Sequence, residues 1–473
     1  MNNWFDHILW YTRIQPETPA MVMEDRVVTY AMLGQAIERC ARQIVALDFA
    51  GNGAVAVIVE NPIRHMVLCL ALFRLGLNSL SLTYGQENAK VPGFALALGD
   101  RKASQAAAQG RAPSCQLIEI GNAWFSEDAP RRELPMGFAD PNQVCRMSLT
   151  SGTTGAPKVL YLTVADIGGA KGGSLLLGPS SSRRLCLPGL ASALGFWTAS
   201  AVLAGGGTLC FSETPYQSIR MIELFKIEYI MAATEQLLAL TRVARKVKAR
   251  LPSLKLIETG GAMPSRALLE AAMIDVCRDI YCRYGASEAG PMARAPARDV
   301  LARPGLAGYV LPGVEIGIFD KDGRRCRPGE SGLVRSRPDP RWFGSDTPWV
   351  DLGDVGWLTE NRELFILGRA ADLGTSESES GRRISPVHEA EHLLRLEWDA
   401  DDAAAITADT GNERPQLLIA TVNCKDAKPD EFEAILRGRG FDYAVRIVPV
   451  RTIPRGVSGK VNRGELKALL TRS

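Results

Sequence analysis

The chain has 473 residues, of which 46% are hydrophobic and 23% charged, and its formal net charge at pH 7 is only +3. This length exceeds what one ordinary core organises, so we expect a globular protein of two or more domains. The near-neutral charge and the short, scattered basic clusters give no indication of nucleic-acid binding.

The cysteine and histidine content argues against several kinds of site. Ten cysteines are spread along the chain without a CxxC pair, and no histidine stands close to the nearest two, Cys277 and Cys282. Reduced cysteines in a cytoplasmic protein are therefore favoured over disulfides or zinc ligands. With only four histidines, a histidine metal site or a Ser-His-Asp triad has little support.

Targeting and membrane signals are weak. The first residues show no basic region followed by an apolar core, so we expect no signal peptide. Residues 185–211 carry no charge and are long enough for a membrane helix. Pro188 and the glycines at 205–207 interrupt this stretch, which favours a buried helix followed by a buried strand and no integral membrane segment.

Hydrophobic periodicity predicts alternating helices and strands through most of the chain. In the first third, helices are predicted at 30–47 and 64–75, with a fully buried strand at 54–59 between them. The alternation returns with strands at 208–211, 229–232 and 253–258 and helices at 218–225 and 264–276. This order predicts an α/β fold of layered, mostly parallel sheets covered by helices.

The pattern changes near residue 310. Short β-type runs with turn signals predict a small β-rich subdomain over about 310–369. The polar segment 375–381, TSESESG, has no periodicity and is interpreted as a solvated loop. Helices near 387–396 and from 431, with strands near 403–407 and 417–422, then predict a small α+β domain. We therefore expect a large N-terminal domain, 1–369, and a small C-terminal domain, 370–473.

A glycine- and hydroxyl-rich loop is the strongest functional signal. Residues 147–158 read MSLTSGTTGAPK, after a predicted strand at 144–148. Glycines let backbone N–H groups approach an anion, hydroxyls donate hydrogen bonds, and lysine adds charge. A loop at a strand end with these properties predicts polyphosphate binding. A plain polar turn is the alternative, and Val159 after Lys158 excludes a Walker A loop.

Five further segments follow in a fixed order. They are ETGGAMP at 258–264, YGASE at 284–288, DLGDVG at 351–356, Gly368-Arg369 and PRGVSGKVNR at 454–463. Together with the glycine-rich loop they resemble the motifs of the adenylate-forming (AMP-binding) superfamily, in particular its acyl- and aryl-CoA synthetase branch. The resemblance spans nearly the whole chain, and six motifs in order leave little room for chance.

The resemblance implies a reaction in two steps. A carboxylate attacks the α-phosphate of ATP and expels pyrophosphate, and the thiol of CoA then takes the acyl group. ATP, Mg²⁺ and CoA are the implied cofactors. Both reactants of the first step are anions, so catalysis consists mostly of positioning and charge neutralisation.

The resemblance also implies a role for each motif residue. The catalytic group is Lys460, which bridges the carboxylate and the α-phosphate, with Glu288 as the Mg²⁺ ligand and Thr153 on the phosphates. Asp354 accepts hydrogen bonds from the ribose, with Arg369 nearby. The remaining nucleotide-binding residues are Thr150, Ser151, Gly152, Thr154, Gly155 and Lys158 in the loop, and Gly260, Gly261, Ala262, Tyr284, Gly285 and Ser287 around the adenine. Taken singly, Glu288, Asp354 and Lys460 could equally be a surface acid, a turn aspartate and a solvated lysine.

The C-terminal domain is the part of the chain that departs most from the pattern. In this superfamily it rotates between the two steps, and here the hinge would lie near residues 369–372. Ala371 stands where aspartate or lysine is common, and TSESESGRR replaces the usual IKxxG-type segment. The second step is therefore left open between CoA and the phosphopantetheine of a carrier protein. A catalytically inactive nucleotide-binding relative is a further alternative.

The segment LPGLASALGFW, 187–197, narrows the acid substrate. It lacks the histidine that many acyl-CoA synthetases carry, and Ala191 or Ser192 takes that place. Ala193 stands where amino-acid-activating domains have an aspartate, and an unpaired ammonium would be costly to bury. An acid without an α-amino group and with an apolar or aromatic body is favoured. Its pocket is predicted to be lined by Ala191, Ser192, Phe196 and Gly285, although at helical spacing Phe196 or Trp197 is equally expected in the core.

Overall fold

The structure is a computed structural model, and contacts divide the chain into two units. The first unit comprises Met1–Ala232 and Leu251–Lys255, and the second comprises Ala233–Arg250 and Leu256–Ser473. The predicted division into a large domain, 1–369, and a small domain, 370–473, stays a prediction. The residues that the structure describes are 4–48, 54–84, 94–111, 115–126, 133–135, 137–150, 158–168, 177–338, 348–370, 386–408, 414–425, 427–455 and 461–472.

Helices are found in both units. One helix, α4 (Arg101–Ala106), continues into a π-helical turn, Ala107–Arg111. The helices of the described residues are α1 (Trp4–Ile14), α2 (Tyr30–Ala46), α3 (Pro62–Arg74), α4 (Arg101–Ala106), α5 (Ala123–Ser126), α6 (Val164–Gly168), α7 (Ala193–Ala204), α8 (Pro215–Phe225), α9 (Thr234–Val247), α10 (Arg266–Asp275), α11 (Ala297–Ala302), α12 (Val387–Glu397), α13 (Pro429–Gly438) and α14 (Arg463–Arg472).

Strands alternate with these helices in the first half of the chain and dominate after residue 280. They are β1 (Pro19–Met23), β2 (Arg26–Thr29), β3 (Ala54–Ile58), β4 (Ser79–Ser81), β5 (Phe94–Gly99), β6 (Gln116–Glu119), β7 (Val144–Thr150), β8 (Lys158–Thr163), β9 (Arg183–Cys186), β10 (Thr208–Cys210), β11 (Tyr229–Ala233), β12 (Leu256–Gly260), β13 (Ile280–Ala286), β14 (Gly290–Pro296), β15 (Leu306–Val310), β16 (Val314–Phe319), β17 (Gly332–Pro338), β18 (Val350–Leu358), β19 (Glu363–Arg369), β20 (Asp402–Ala408), β21 (Gln416–Val422) and β22 (Ala444–Pro449).

The first unit contains two mostly parallel sheets. One has the order β6-β5-β3-β4-β7-β8 and is parallel except for the β7–β8 pair. In the other, β11, β9, β10 and β1 are parallel and β2 is an antiparallel edge strand. Strand β3 is buried along its whole length. The predicted parallel sheets with covering helices are confirmed.

Helix starts differ from the predictions by a few residues for a common reason. Helix α3 begins at Pro62 because the Asn61 side chain accepts a hydrogen bond from the Arg64 backbone N–H and caps the helix. Helix α8 begins at Pro215 after the cap Thr214 in the same way. Proline fits the first helical turn because its missing N–H would have no partner there.

The second unit combines a largely antiparallel sheet with the small α+β unit. Its sheet has the order β16-β17-β18-β19-β15-β14-β13-β12, and only β12 and β13 in it are parallel. Strands β16 to β19 coincide with the predicted β-rich region. The last part of the chain forms the sheet β20-β21-β22 with helices α12, α13 and α14. The polar segment 375–381 and Ala371 lie outside the described residues.

Helix α12 packs against the start of α10. The Glu389 carboxylate, 4% exposed, accepts hydrogen bonds from the backbone N–H groups of Arg266 (2.8 Å) and Ala267 (3.2 Å). Arg439 Nη1 pairs with the same carboxylate at 2.9 Å. A carboxylate at a helix N-terminus satisfies donors that otherwise have no partner.

The α12 sequence HEAEH, 388–392, has the spacing of a zinc-binding helix. In this protein the first glutamate of that sequence, Glu389, accepts hydrogen bonds from the N-terminus of α10 instead. Among the described residues no group of three or more histidine, cysteine or acidic side chains could hold a metal ion.

Residues 185–211 fold as the predicted helix and strand. They contribute α7, which lies in the core of the first unit, and β10. Within the described part of the chain, no helix is both long and apolar enough to cross a bilayer. None of the ten cysteines, all of which lie in the described residues, forms a disulfide.

We predict that Glu389→Ala lowers the free energy of unfolding by about 2 kcal/mol, because two backbone donors and Arg439 lose a buried acceptor. Glu397→Ala is the control, since Glu397 lies on the same helix α12 and pairs with Arg245 at 3.3 Å, but its side chain is 52% exposed. Its loss should cost less than about 1 kcal/mol. Urea unfolding followed by circular dichroism measures both, and equal effects would contradict the capping role.

Candidate active site

Strands β7 and β8 hold the two ends of the glycine-rich loop. Thr150 and Lys158 face each other in the antiparallel register of this pair, and β7 also pairs in parallel with β4. The loop therefore leaves the carboxyl end of a parallel strand, where α/β folds bind ligands. Outside the described residues lie Ser151, Gly152, Thr153, Thr154 and Gly155, and also Lys460. Their roles stay predictions, as do those of the Thr150 and Lys158 side chains.

Three predicted residues from three motifs meet at the Asp354 carboxylate in the second unit. Asp354 lies on β18 and is 7% exposed. The Tyr284 hydroxyl donates to its Oδ2 at 2.5 Å, and Arg369 Nε lies 3.1 Å from its Oδ1. Asp354 and Arg369 are direct partners in the β18–β19 register. Arg369 Nη1 also donates to the Leu352 carbonyl at 2.7 Å, which fixes the guanidinium.

Electrostatics keep Tyr284 protonated. Burial raises the pKa of its hydroxyl well above the usual value, and the charge and hydrogen bond of Asp354 raise it further, while Arg369 opposes the shift. Tyr284 therefore remains a donor at neutral pH. An ionised carboxylate offers about four acceptor positions, so Asp354 has the chemistry to receive hydroxyl donors from a sugar.

The glycine pair follows β12 at the edge of this cluster. Gly260 is the last residue of β12 and the register partner of Arg283 on β13. Because Tyr284 follows Arg283, the chain leaves β12 beside Tyr284. A Cβ on Gly260 would lie only 2.7 Å from the Arg283 carbonyl oxygen, and Gly261 has φ +90°. Both positions therefore require glycine. The Ala262 carbonyl accepts a hydrogen bond from Thr234 at 2.8 Å. A backbone without side chains, paired with the residue that precedes Tyr284 on β13, fits a flat adenine.

Glu288 lies at the tip of the β13–β14 hairpin. The turn contains Ser287 and Glu288, and the Glu288 side chain is exposed. Gly285 is required by the tight hairpin, since a Cβ there would come within 2.6 Å of the Gly290 carbonyl oxygen. An accessible carboxylate oxygen is a ligand that Mg²⁺ prefers. The Glu288 carboxylate therefore fits the predicted role of a Mg²⁺ ligand.

A buried ion cluster beneath these loops escaped the sequence analysis. Glu258, 2% exposed on β12, accepts from Arg294 Nη2 on β14 at 2.7 Å and lies 3.6 Å from Arg283 Nη1 on β13. Burial lowers the pKa of Arg283, and Glu258 opposes that shift. Arg283 and Arg294 are register partners, so the shared carboxylate offsets their repulsion. The cluster joins the three strands that carry the glycine pair and the hairpin.

The predicted acyl segment begins α7 in the first unit. Ser192 caps this helix, because its Oγ accepts from the Gly195 N–H at 3.1 Å and donates to the Gly189 carbonyl at 2.7 Å. Ala191 is half-buried. Phe196 and Trp197 both lie in the hydrophobic core, at 3% and 5% exposure. That Ala191, Ser192 and Phe196 shape an acid pocket stays a prediction.

Comparison with known proteins decides the family. The family of AMP-binding enzymes matches residues 10–337. The chain belongs to this family. The predicted adenylate-forming superfamily is thereby confirmed.

This AMP-binding enzyme resembles CoA ligases over its whole length. It is 27% identical over 506 residues to 2-succinylbenzoate–CoA ligase of Geobacillus kaustophilus, covering 100% of this chain and 99% of the relative. It is 25% identical over 519 residues to indoleacetate–CoA ligase of Aromatoleum aromaticum, with 100% and 98% covered. Its fold matches o-succinylbenzoate CoA synthetase of Bacillus subtilis in complex with its acyl-adenylate, with TM-score 0.80, 21% identity, and 99% and 98% covered. The predicted α/β fold is confirmed.

We predict that Gly195→Ala destabilises this AMP-binding enzyme by about 1–3 kcal/mol, as overpacking does. A Cβ at Gly195 would lie 2.3 Å from the Gly189 carbonyl oxygen, and this backbone clash outweighs the better helix propensity of alanine. Gly189→Ala is the matched control, because a Cβ there meets nothing within 4 Å. Denaturant midpoints measure both variants, and equal midpoints would contradict the close approach.

Proposed function

We propose that this protein is an ATP-dependent acid–thiol ligase. It joins a carboxylic acid to AMP with release of pyrophosphate and then transfers the acyl group to the thiol of CoA. The observation that carries the proposal is the buried Asp354 carboxylate held between Tyr284 and Arg369. In a member of the AMP-binding family, this arrangement suits the recognition of a nucleotide.

The second unit supplies the groups that bind the nucleoside. Asp354 accepts hydrogen bonds from the ribose hydroxyls, and Arg369 pairs with the carboxylate and orients it. Tyr284 and the backbone at Gly260 and Gly261 flank the adenine. Since these groups are fixed before the ligand arrives, little conformational entropy is lost on binding.

Charge neutralisation is the main demand of the first step, because a carboxylate must approach a polyphosphate. Ser151, Thr153, Thr154 and Lys158 hold the β- and γ-phosphates. Glu288 would hold Mg²⁺, which neutralises phosphate charge when bound. Lys460 bridges the carboxylate and the α-phosphate, and so stabilises the charge that develops as pyrophosphate leaves.

The acid is proposed to be aromatic and to lack an α-amino group. No acidic residue occurs between residues 185 and 212 to pair with an ammonium, and Ala193 is buried. The two CoA ligases compared above are named for aromatic acids, 2-succinylbenzoate and indoleacetate. Ala191, Ser192, Phe196 and Gly285 would shape the pocket.

Residues 370–473 are proposed to act as a lid that carries Lys460 and turns near residues 369–372 between the two steps. The acceptor is CoA, and a carrier-protein phosphopantetheine is the alternative, because the segment 371–381 departs from the family pattern. Ten cysteines without a disulfide favour a reducing compartment such as the cytoplasm.

We predict that the enzyme releases pyrophosphate from ATP and Mg²⁺ with at least one of 2-succinylbenzoate, indoleacetate and 4-coumarate, and that CoA then yields the thioester and AMP. The thioester is measured by mass spectrometry with CoA and, in parallel, with a holo carrier protein. Lys460→Ala should nearly abolish pyrophosphate release while ATP still binds. Lys467 is exposed, and Lys467→Ala should leave pyrophosphate release unchanged. If the thioester forms on the carrier protein and not on CoA, the carrier protein is the acceptor. If none of the acids causes release of pyrophosphate, the ligase proposal is refuted.

We predict that Asp354→Asn weakens ATP binding about tenfold to a hundredfold, since hydrogen bonds to a charged acceptor are worth about 1.5–3 kcal/mol each. Asp351→Asn on the same strand is the control, because the Asp351 side chain is 52% exposed. Isothermal titration calorimetry with ATP measures both. Equal affinities for the two variants would remove Asp354 from the nucleotide site.

A further inference from the structure

A fully buried arginine lies on the strand that leads into the glycine-rich loop. Arg146 is on β7 and is 0% exposed. Arginine is almost never buried completely unless it is paired, because its charge loses hydration. Its partners therefore show what the side chain holds in place.

One guanidinium nitrogen of Arg146 joins β4 to the acyl segment. Nη2 donates to Ser81 Oγ at 2.8 Å and to the Leu190 carbonyl at 2.7 Å. The other terminal nitrogen, Nη1, donates to Ser79 Oγ at 3.4 Å. Ser79 and Ser81 point to the same face of β4, as alternate residues of a strand do. The planar fork of arginine suits such divergent acceptors, and a lysine would not reach them together.

His65 fixes the direction of the hydrogen bonds at Ser81. Its Nδ1 lies 2.9 Å from the Val59 carbonyl, and its Nε2 lies 2.6 Å from Ser81 Oγ. A carbonyl only accepts, so the ring proton belongs on Nδ1, and Nε2 accepts the proton of the Ser81 hydroxyl. The Ser81 oxygen then faces Arg146 with its lone pairs. The hydrogen bonds thus run from α3 through β4 to Arg146.

Arg146 also contacts the acyl segment at two points, Leu190 and Phe196. The guanidinium binds the Leu190 carbonyl and lies 3.6 Å from the centroid of the Phe196 ring. Ser148, on the same strand, donates to the Ala191 carbonyl at 3.4 Å. Stacking on an aromatic ring and a charge-assisted hydrogen bond each add to the rigidity of the segment.

We infer that Arg146 is a positioning residue for binding of the acid. It locks residues 190–196 against the strand that carries the glycine-rich loop and so sets the shape of the acyl pocket. The inference rests on the proposed function, which assigns Ala191, Ser192 and Phe196 to that pocket. It gives Arg146 no contact with ATP or with the reacting atoms.

The test compares Arg146→Met and Arg146→Lys with Arg184→Met. Arg184 is a matched control, because it is also buried, donates to the backbone carbonyls of Leu177 and Pro179, and lies 4.4 Å from the centroid of the Tyr229 ring. Ser81→Ala is a milder variant that removes one acceptor of Arg146 if the methionine variant does not fold. Pyrophosphate release is measured with the acid from the panel above that the wild type turns over.

Arg146→Met should raise the KM for the acid about tenfold, because the segment that shapes the acid pocket loses its charge-assisted hydrogen bond at Leu190, with the KM for ATP nearly unchanged. Arg146→Lys should recover only part of the loss, and Arg184→Met should leave the KM for the acid near the wild-type value. Amide hydrogen exchange should become faster in residues 187–204 of Arg146→Met and stay unchanged in 30–46.

Unchanged acid KM and unchanged exchange in Arg146→Met would overturn the inference, as would an equal effect of Arg184→Met. If the wild type releases no pyrophosphate with any of the acids, the proposed function fails. The exchange measurement then still decides whether Arg146 holds the segment.

Discussion

The carboxylate of Asp354 is the interaction on which the nucleotide site of the second unit depends. It lies buried on β18 and ties β19 to β13 through Arg369 and Tyr284. Removal of this buried carboxylate would leave the Tyr284 hydroxyl without the acceptor to which it donates. The same geometry presents an acceptor that two sugar hydroxyls require. Stability and recognition therefore come from one group, and this is why we assign it to the ribose.

Buried charges perform a similar task elsewhere in both units. Glu258 joins the strands of Arg283 and Arg294 below the glycine pair, and Arg146 joins β7 to the start of α7. In each case a buried charged side chain ties neighbouring segments together through ion pairs or forked hydrogen bonds.

The sequence predicted the fold class, the order of the elements and Arg369 near Asp354, but not the hydrogen bond from Tyr284 to Asp354. Periodicity is a local property, and the motifs came with a known family pattern, so both could be found without coordinates. Helix starts at Pro62 and Pro215 were missed because caps precede the periodic region. Arg146 and Glu258 were missed for a different reason. Each is a single charge within an apolar strand, and its partners are distant in sequence, so only the tertiary fold reveals them.

The central claim is that this AMP-binding enzyme activates an acid as its adenylate. Exchange of labelled pyrophosphate into ATP tests this step without any acceptor, because it requires only that adenylate formation be reversible. With Mg²⁺, ATP and an acid that the enzyme accepts as a substrate, and without CoA, the label should enter ATP. When the acid is left out, no label should enter ATP. Formation of ADP and phosphate, or exchange that does not depend on the acid, would contradict the account.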